Sequence, residues 1–246
     1  MKLVVGNACP RHEVSAGPTD CLQCAVRDIA VCTALSAPER ERLRAIAVTK
    51  TFESGATLFA AEEPTPFVGT VVEGSIKTFK LLPDGRQQIV GFLFPGDFIG
   101  SPTEETTQLF AEALTRVELC LFPFPAIRRL VREMPNLERR LLQLAHQDLD
   151  LARDWMLLLG RKTAQERLAT FLVLLIHKAE ARGIEARSIA LPMNRGEIAD
   201  YLGLTIETVS RQFSKLKAAG LIALGHNHKV DVLDAEGLAA LADGGA

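Results

Sequence analysis

The sequence predicts an α+β fold in three parts: an N-terminal antiparallel β-roll, a long helix, and a C-terminal winged helix-turn-helix. Three observations carry this. Short segments rich in Val, Ile, Thr and Phe, with Gly at the bends between them, fill residues 49–124. A continuous helical pattern with two apolar rows runs from Pro135 to Leu159. Beyond it, a small residue (Ala199), a glycine (Gly203) and a branched apolar residue (Val209) are spaced as two closely crossing helices require.

The elements follow in order. Residues 1–35 are irregular and hold four of the five cysteines, Cys9, Cys21, Cys24 and Cys32. Ser36 caps a short helix opened by Pro38. Strands are expected at Thr51–Phe52, Ala56–Phe59, Phe67–Val72, Ser75–Leu81, Gln88–Leu93 and Val117–Phe122. Turn residues such as Gly55, Gly74, Gly85 and Gly100 separate them. A short helix starts near Pro125, and the long one follows.

One row of the long helix reads Leu137, Leu141, Leu144, Leu151, Trp155 and Leu158, with Asp148 interrupting it. The second reads Leu142, Ala145, Leu149, Ala152, Met156 and Leu159. Two stripes must bury two faces, one on the roll and the other against a second copy as a coiled coil. A helix sandwiched within one subunit satisfies the same pattern. Gly160, Arg161 and Lys162 read as a hinge, and Thr163 with Glu166 has capping-box spacing for a helix to about Ala181. The division is therefore 1–35 cysteine-rich segment, 36–124 roll, 125–160 long helix and 161–246 C-terminal domain.

A 246-residue chain that is 48% hydrophobic and 24% charged has an ordinary globular balance, which argues against disorder. No apolar run reaches the roughly 18–20 residues that cross a bilayer. No basic stretch followed by an apolar one suggests a secretory signal, so a cytoplasmic location with reduced thiols is expected. The net charge of −2 is unevenly spread: residues 161–230 carry +5 and the remainder −7. A basic segment on an acidic body is a footprint of phosphate contact, although a solvated basic face gives the same count.

The helix-turn-helix runs from Arg195 to Lys217. Asn194 caps its first helix with Glu197 reaching back, and Ile198, Ala199 and Leu202 face inward. Gly203 supplies the left-handed turn, Thr205 caps the second helix, and Gly220 ends it. Leu221–Leu224 and Val230–Leu233 form a wing hairpin, whose His226 and His228 read as tip residues rather than metal ligands. Near the start of the second helix, Arg211 can pair bidentately with guanine, Glu207 can accept from cytosine, and Ser210 can touch an adjacent pair in double-stranded DNA. Arg195, Thr208, Lys215 and Lys217 are placed for phosphates. A simple Glu207–Arg211 ion pair is the competing use of those two residues.

Cys21-Leu-Gln-Cys24, Cys32 and the distant Cys120 make a second constellation. Four thiolates suit an iron–sulfur cluster or structural zinc, and spacing alone does not choose between them. A redox disulfide or inert thiols also remain open at this point. No GxSxG, P-loop or HExxH is present, so no enzyme is expected.

The order of parts, with Leu157-Leu-Leu-Gly-Arg-Lys-Thr-Ala-Gln-Glu-Arg-Leu168 and Gly196-Glu-Ile-Ala-Asp-Tyr-Leu-Gly-Leu-Thr-Ile-Glu-Thr-Val-Ser-Arg211, resembles the CRP/FNR superfamily along essentially the whole chain. The match is to the FNR branch, with its FnrL- and FixK-like oxygen regulators. The cyclic-AMP branch would place Arg where Ile206 stands and Gly where Ser210 stands. The resemblance implies a cyclic-nucleotide-binding-like roll, a dimerisation helix, and a homodimer that reads palindromic sites with TTGAT-like halves. It implies a 4Fe–4S cluster on Cys21, Cys24, Cys32 and Cys120, with molecular oxygen as the signal; Cys9 has no ligand counterpart. The spacing between Cys24 and Cys32 looks like the FnrL type rather than the shorter enterobacterial one.

The pairing seam implied by the resemblance is Leu142, Ala145, Leu149, Ala152 and Met156. Relatives carry an aspartate where Ala152 stands, so the dimer here is expected to depend less on the cluster. Between Ser101 and Leu114 there is no Arg, so the roll is expected to be a scaffold and not a nucleotide pocket. The Pro83-Asp84-Gly85-Arg86 turn resembles a surface that touches RNA polymerase in relatives, and a plain hairpin turn explains it equally well.

Overall fold

The computed structural model describes residues 21, 23–184, 187–226 and 228–245. The roll is two four-stranded antiparallel sheets. β1 (Val48–Phe52), β3 (Phe67–Glu73), β6 (Phe98–Ile99) and β8 (Val117–Pro123) make one, in the order β1-β8-β3-β6. β2 (Thr57–Phe59), β4 (Ile76–Leu81), β5 (Gln87–Leu93) and β7 (Phe110–Ala113) make the other, in the order β2-β7-β4-β5. Between the sheets lie Phe52, Val71, Ile76, Val117, Leu119 and Leu121, all buried. Alternation on β8 sends Val117, Leu119 and Leu121 inward and leaves Glu118 and Cys120 less buried.

Gly74 turns β3 into β4 with φ +88°, and a Cβ there would stand 2.2 Å from the Arg116 carbonyl oxygen. Only glycine fits that turn.

Two roll strands escaped the sequence reading. β6 is two residues long, and β7 reads Phe-Ala-Glu-Ala, which lacks a β-branched residue. β1 also starts three residues before its expected position, at Val48.

A 3-10 turn at Val31–Ala34 and α1 (Ala37–Arg44), closed by the Ser36–Glu39 capping box, lead into the roll. α2 (Phe124–Glu133) and α3 (Pro135–Arg161) leave it. A second core joins Val31, Leu35 and Leu43 to Phe122, Ile127 and Leu137. Arg140 of α3 donates to the Ile29 carbonyl and ties the cysteine-bearing segment to the long helix.

The rows of α3 separate as their spacing requires. Leu137, Leu141 and Leu158 of the first are buried, and Leu144 and Trp155 are half-buried. Leu151 is a correction: it is 43% exposed although it stands in that row. Leu142, Leu149 and Met156 of the second row are 70%, 46% and 61% exposed. The sandwiched-helix alternative therefore fails within one chain. The expected hinge narrows to its last residue, because α3 continues through Gly160 and Arg161, and the chain turns at Lys162 with ψ 143°.

The C-terminal domain is α4 (Ala164–Glu180), β9 (Ser188–Ala190), α5 (Arg195–Leu202), α6 (Ile206–Ala218), β10 (Ile222–Leu224), β11 (Lys229–Val232) and α7 (Ala235–Ala242). The wing is a three-stranded sheet in the order β10-β11-β9, so the expected hairpin gains a strand. α7 was also unforeseen; Asp234 caps it, and Leu238 and Ala242 are buried in the core that α4 shares. That core reaches past the domain to Phe79, Ile89, Phe92 and Phe94 of the roll. Among the described residues no helix is long and apolar enough to cross a membrane.

Candidate functional site

The reading surface is built by caps and one turn. In α5 the Asn194 side chain accepts from the Glu197 amide at 3.0 Å, and the Glu197 carboxylate accepts from the Asn194 amide at 2.8 Å. Gly203 then takes φ +62°, a left-handed value, and the chain turns into α6. Thr205 caps α6 by accepting from the Thr208 amide at 3.3 Å. Ile198, Leu202, Val209, Phe213 and Leu216 are fully buried, so the two helices cross at a fixed angle. Val209, Phe213 and Leu216 point inward from α6, and the opposite face is mainly polar.

That face carries the predicted readers. Glu207, Ser210 and Arg211 are exposed within the first two turns of α6. The Glu207 carboxyl is held below its usual range by its own backbone amide and then by the Thr205 hydroxyl. Arg211 donates to the Thr208 hydroxyl at 3.3 Å, so Glu207 and Arg211 are not consumed by one another. Lys215 and Lys217 are exposed near the other end of the helix, where cations also favour the helix dipole.

Arg195, expected at a phosphate, is half-buried. Its guanidinium lies 3.3 Å from the centroid of the Phe213 ring, and burial lowers its pKa. Stacking engages the planar face and leaves the N–H edge for other partners. At the wing, Gly225 donates to the Lys229 carbonyl and closes the tip, where His226 and His228 stand apart from the cysteines.

The structure also brings the four cysteines together. Cys21, Cys24 and Cys32 from the N-terminal segment and Cys120 from β8 line one mainly apolar pocket beside Arg40 and Thr70. β8 delivers Cys120 by pairing it with Thr49 on one side and Thr70 on the other. The Thr70 hydroxyl oxygen is buried there without a hydrogen-bond partner. Burial, with Cys21 and Cys24 adding to it, pushes the Cys32 thiol up to about 11. No disulfide joins these four cysteines. Among the described residues, no three metal-ligating side chains stand close enough in this conformation to close around one ion. Cys9 lies outside the described residues, as does all of 1–20.

Sequence reasoning missed the residues that attach the reading unit to the rest of the chain. Lys77 bonds Glu197 across 120 positions, and Trp155 bonds the Tyr201 carbonyl across 46. No local pattern encodes partners so far apart.

Comparison with known proteins agrees with this architecture. Residues 49–134 match the model of the cyclic nucleotide-binding domain, and residues 166–241 that of the Crp-like helix-turn-helix domain. The chain is 43% identical over 222 residues to the nitrogen fixation regulation protein FixK of Bradyrhizobium diazoefficiens, covering 90% of this chain and 93% of that one. It is 37% identical over 227 residues to the transcriptional activator protein FnrL of Cereibacter sphaeroides, covering 91% and 92%. The solved structure of FixK2 from Bradyrhizobium japonicum superposes with a TM-score of 0.75 at 35% identity, covering 80% of this chain and 97% of that one. These relatives are regulators and not enzymes. A β-roll, a long helix and a Crp-like winged helix-turn-helix, matched along nine-tenths of two such relatives, place this chain in the CRP/FNR family of DNA-binding transcription regulators, on the side of FNR and FixK.

Proposed function

We propose that the chain is an oxygen-responsive transcriptional activator that binds a 4Fe–4S cluster and reads palindromic TTGAT-like sites as a homodimer when oxygen is low. The observation that supports it best is the convergence of Cys21, Cys24, Cys32 and Cys120 on one pocket. Its donor chemistry fits the group: four thiols, an apolar lining, and Arg27, Arg40 and Arg44 to balance negative charge. When bound, the cluster supplies reactivity toward molecular oxygen, which is the signal. The chain's own residues do the rest. Arg140 links the cysteine-bearing segment to α3, so the packing of that segment bears on the dimerisation helix.

The exposed second row of α3, Leu142, Ala145, Leu149, Ala152 and Met156, is the seam offered to a second copy. Two α6 helices then face two half-sites. Glu207, Ser210 and Arg211 read base edges, while Thr208, Arg195, Lys215 and Lys217 meet phosphates. The Pro83–Arg86 turn, closed by an exposed Arg86–Asp84 ion pair, is offered to RNA polymerase. The roll acts as scaffold and not as a nucleotide sensor.

One observation favours a second reading, the same regulator without the cluster, holding zinc or bare thiols. The cysteines share a pocket yet do not stand in a closed ligand shell here. Absorption of protein purified without oxygen decides. Thiolate-bound iron gives a broad visible band that changes in air, together with loss of DNA binding, and zinc gives none. Binding that is indifferent to air, with no band, overturns the first reading.

The seam has its own test. Ala152→Asp is expected to raise the dimer dissociation constant about tenfold or more. Like charges about 4 Å apart cost roughly 1 kcal/mol in water and about 4 at a surface-like dielectric. Sedimentation measures it, and an unchanged dimer would move the seam elsewhere on α3.

A further inference from the structure

The C-terminal domain does not hang from the long helix by a free hinge. Three parts of the chain converge on two residues at the end of α5, Asp200 and Tyr201. From the roll, Gln87 donates to the Asp200 carboxylate at 2.6 Å, and Gln88 donates to the Asp200 carbonyl. From α3, the Trp155 indole N–H donates to the Tyr201 carbonyl at 3.2 Å. The Tyr201 ring is buried between Phe92 of β5, Phe171 of α4 and Trp155, with centroids 5.2, 5.5 and 6.2 Å away.

Ion pairs flank this aromatic junction. Lys77 of β4, only 8% exposed, places its ammonium 2.9 Å from Glu112 on its own sheet and 3.0 Å from Glu197 on α5. Lys178 of α4 lies 2.6 Å from Asp97 of the roll, whose carboxylate also accepts the Phe94 amide. The contact is apolar at its centre and charged at its rim, and one continuous core crosses it. Such an interface resists the relative motion expected of loosely tethered domains.

What it leaves untouched is informative. Docking uses α5, while Glu207, Ser210 and Arg211 on α6 stay exposed. It engages α3 through Trp155 and Leu158 of the first row and Leu159 at the end of the second, while Leu142, Ala145, Leu149, Ala152 and Met156 stay exposed. We propose that this junction is a latch that holds the helix-turn-helix at a fixed orientation to α3 in the DNA-reading form, with Lys77, Trp155 and Tyr201 as positioning residues. Two helices that must reach two half-sites at once gain most from a fixed mutual orientation. Once the first half-site is bound, the effective concentration at the second depends on geometry. A single half-site makes no such demand.

The proposal rests on the paired reading above, so wild-type protein on the same DNA separates the two. Failure of wild type to prefer two half-sites over one would defeat the paired reading itself. Given that preference, Lys77→Met is expected to weaken binding to a duplex with two half-sites about tenfold or more. Binding to a duplex with one half-site should stay within about twofold.

Trp155 is the chain's one tryptophan, so its emission reports the joint. It should shift to longer wavelength in Lys77→Met and return in Lys77→Arg, which keeps the charge. Equal loss on both duplexes, unchanged paired affinity, tighter paired binding or an unmoved Trp155 emission would each overturn the latch. If Lys77→Met does not fold, Lys178→Met opens the more exposed ion pair and is judged by the same readouts.

Discussion

Arg211→Ala is expected to cost about 1–3 kcal/mol of discrimination at one guanine–cytosine pair in each half-site, a factor of roughly 5 to 150. The expectation follows from its place. Arg211 is exposed within the first two turns of α6, and its nearby partner is the Thr208 hydroxyl, not a carboxylate. The planar fork is therefore free to meet the O6 and N7 of guanine, an arrangement lysine cannot reproduce. The measurement is a binding titration against a panel of duplexes changed one base pair at a time. The wild-type preference should vanish at one position, with non-specific affinity nearly unchanged. Lys217→Ala supplies the contrast, because removing a phosphate-binding cation weakens every sequence alike and lowers the salt slope by about one. Uniform weakening in Arg211→Ala would make it a phosphate ligand as well.

Cys32→Ser should remove the anaerobic visible band and reduce affinity for a two-half-site duplex by about 5- to 150-fold, the usual range of coupling between two sites. Cys32 is half-buried and packs beside the core formed by Val31, Leu35 and Leu137, so damage to that core must be told apart from loss of the cluster. Thermal unfolding without iron does this, since a serine that costs only the cluster leaves the iron-free melting curve in place. Cys9→Ser should keep the band. The loss of affinity is expected toward the lower end of that range, because the proposed seam, with Ala152 in it, would bring no like charges face to face. A Cys32→Ser protein with an undiminished band would remove Cys32 from the ligand set.

Much of this was legible in the residues. The caps at Ser36, Thr163, Asn194 and Thr205 act within three positions, so the starts of α1, α4, α5 and α6 could be read directly. Gly203 and Val209 encoded the crossing of α5 and α6 for the same reason. The two-residue β6 and the Ala-containing β7 were not legible, because they owe their strand form to β3 and β4 beside them. α7 is short, and it is held by the core it shares with α4.

Periodic and local features were legible in the residues alone: most strands of the roll, the two rows of α3, the polar face of α6 and the cysteine spacing. Only the tertiary structure decided which row of α3 stays open. It alone set Cys120 beside Cys21, Cys24 and Cys32, and docked α5 on the roll through Lys77 and Tyr201. The physical reason is one of range. Caps, turns and helical periodicity act over a few residues, whereas these contacts join positions tens of residues or more apart and arise only when separate apolar faces are buried together.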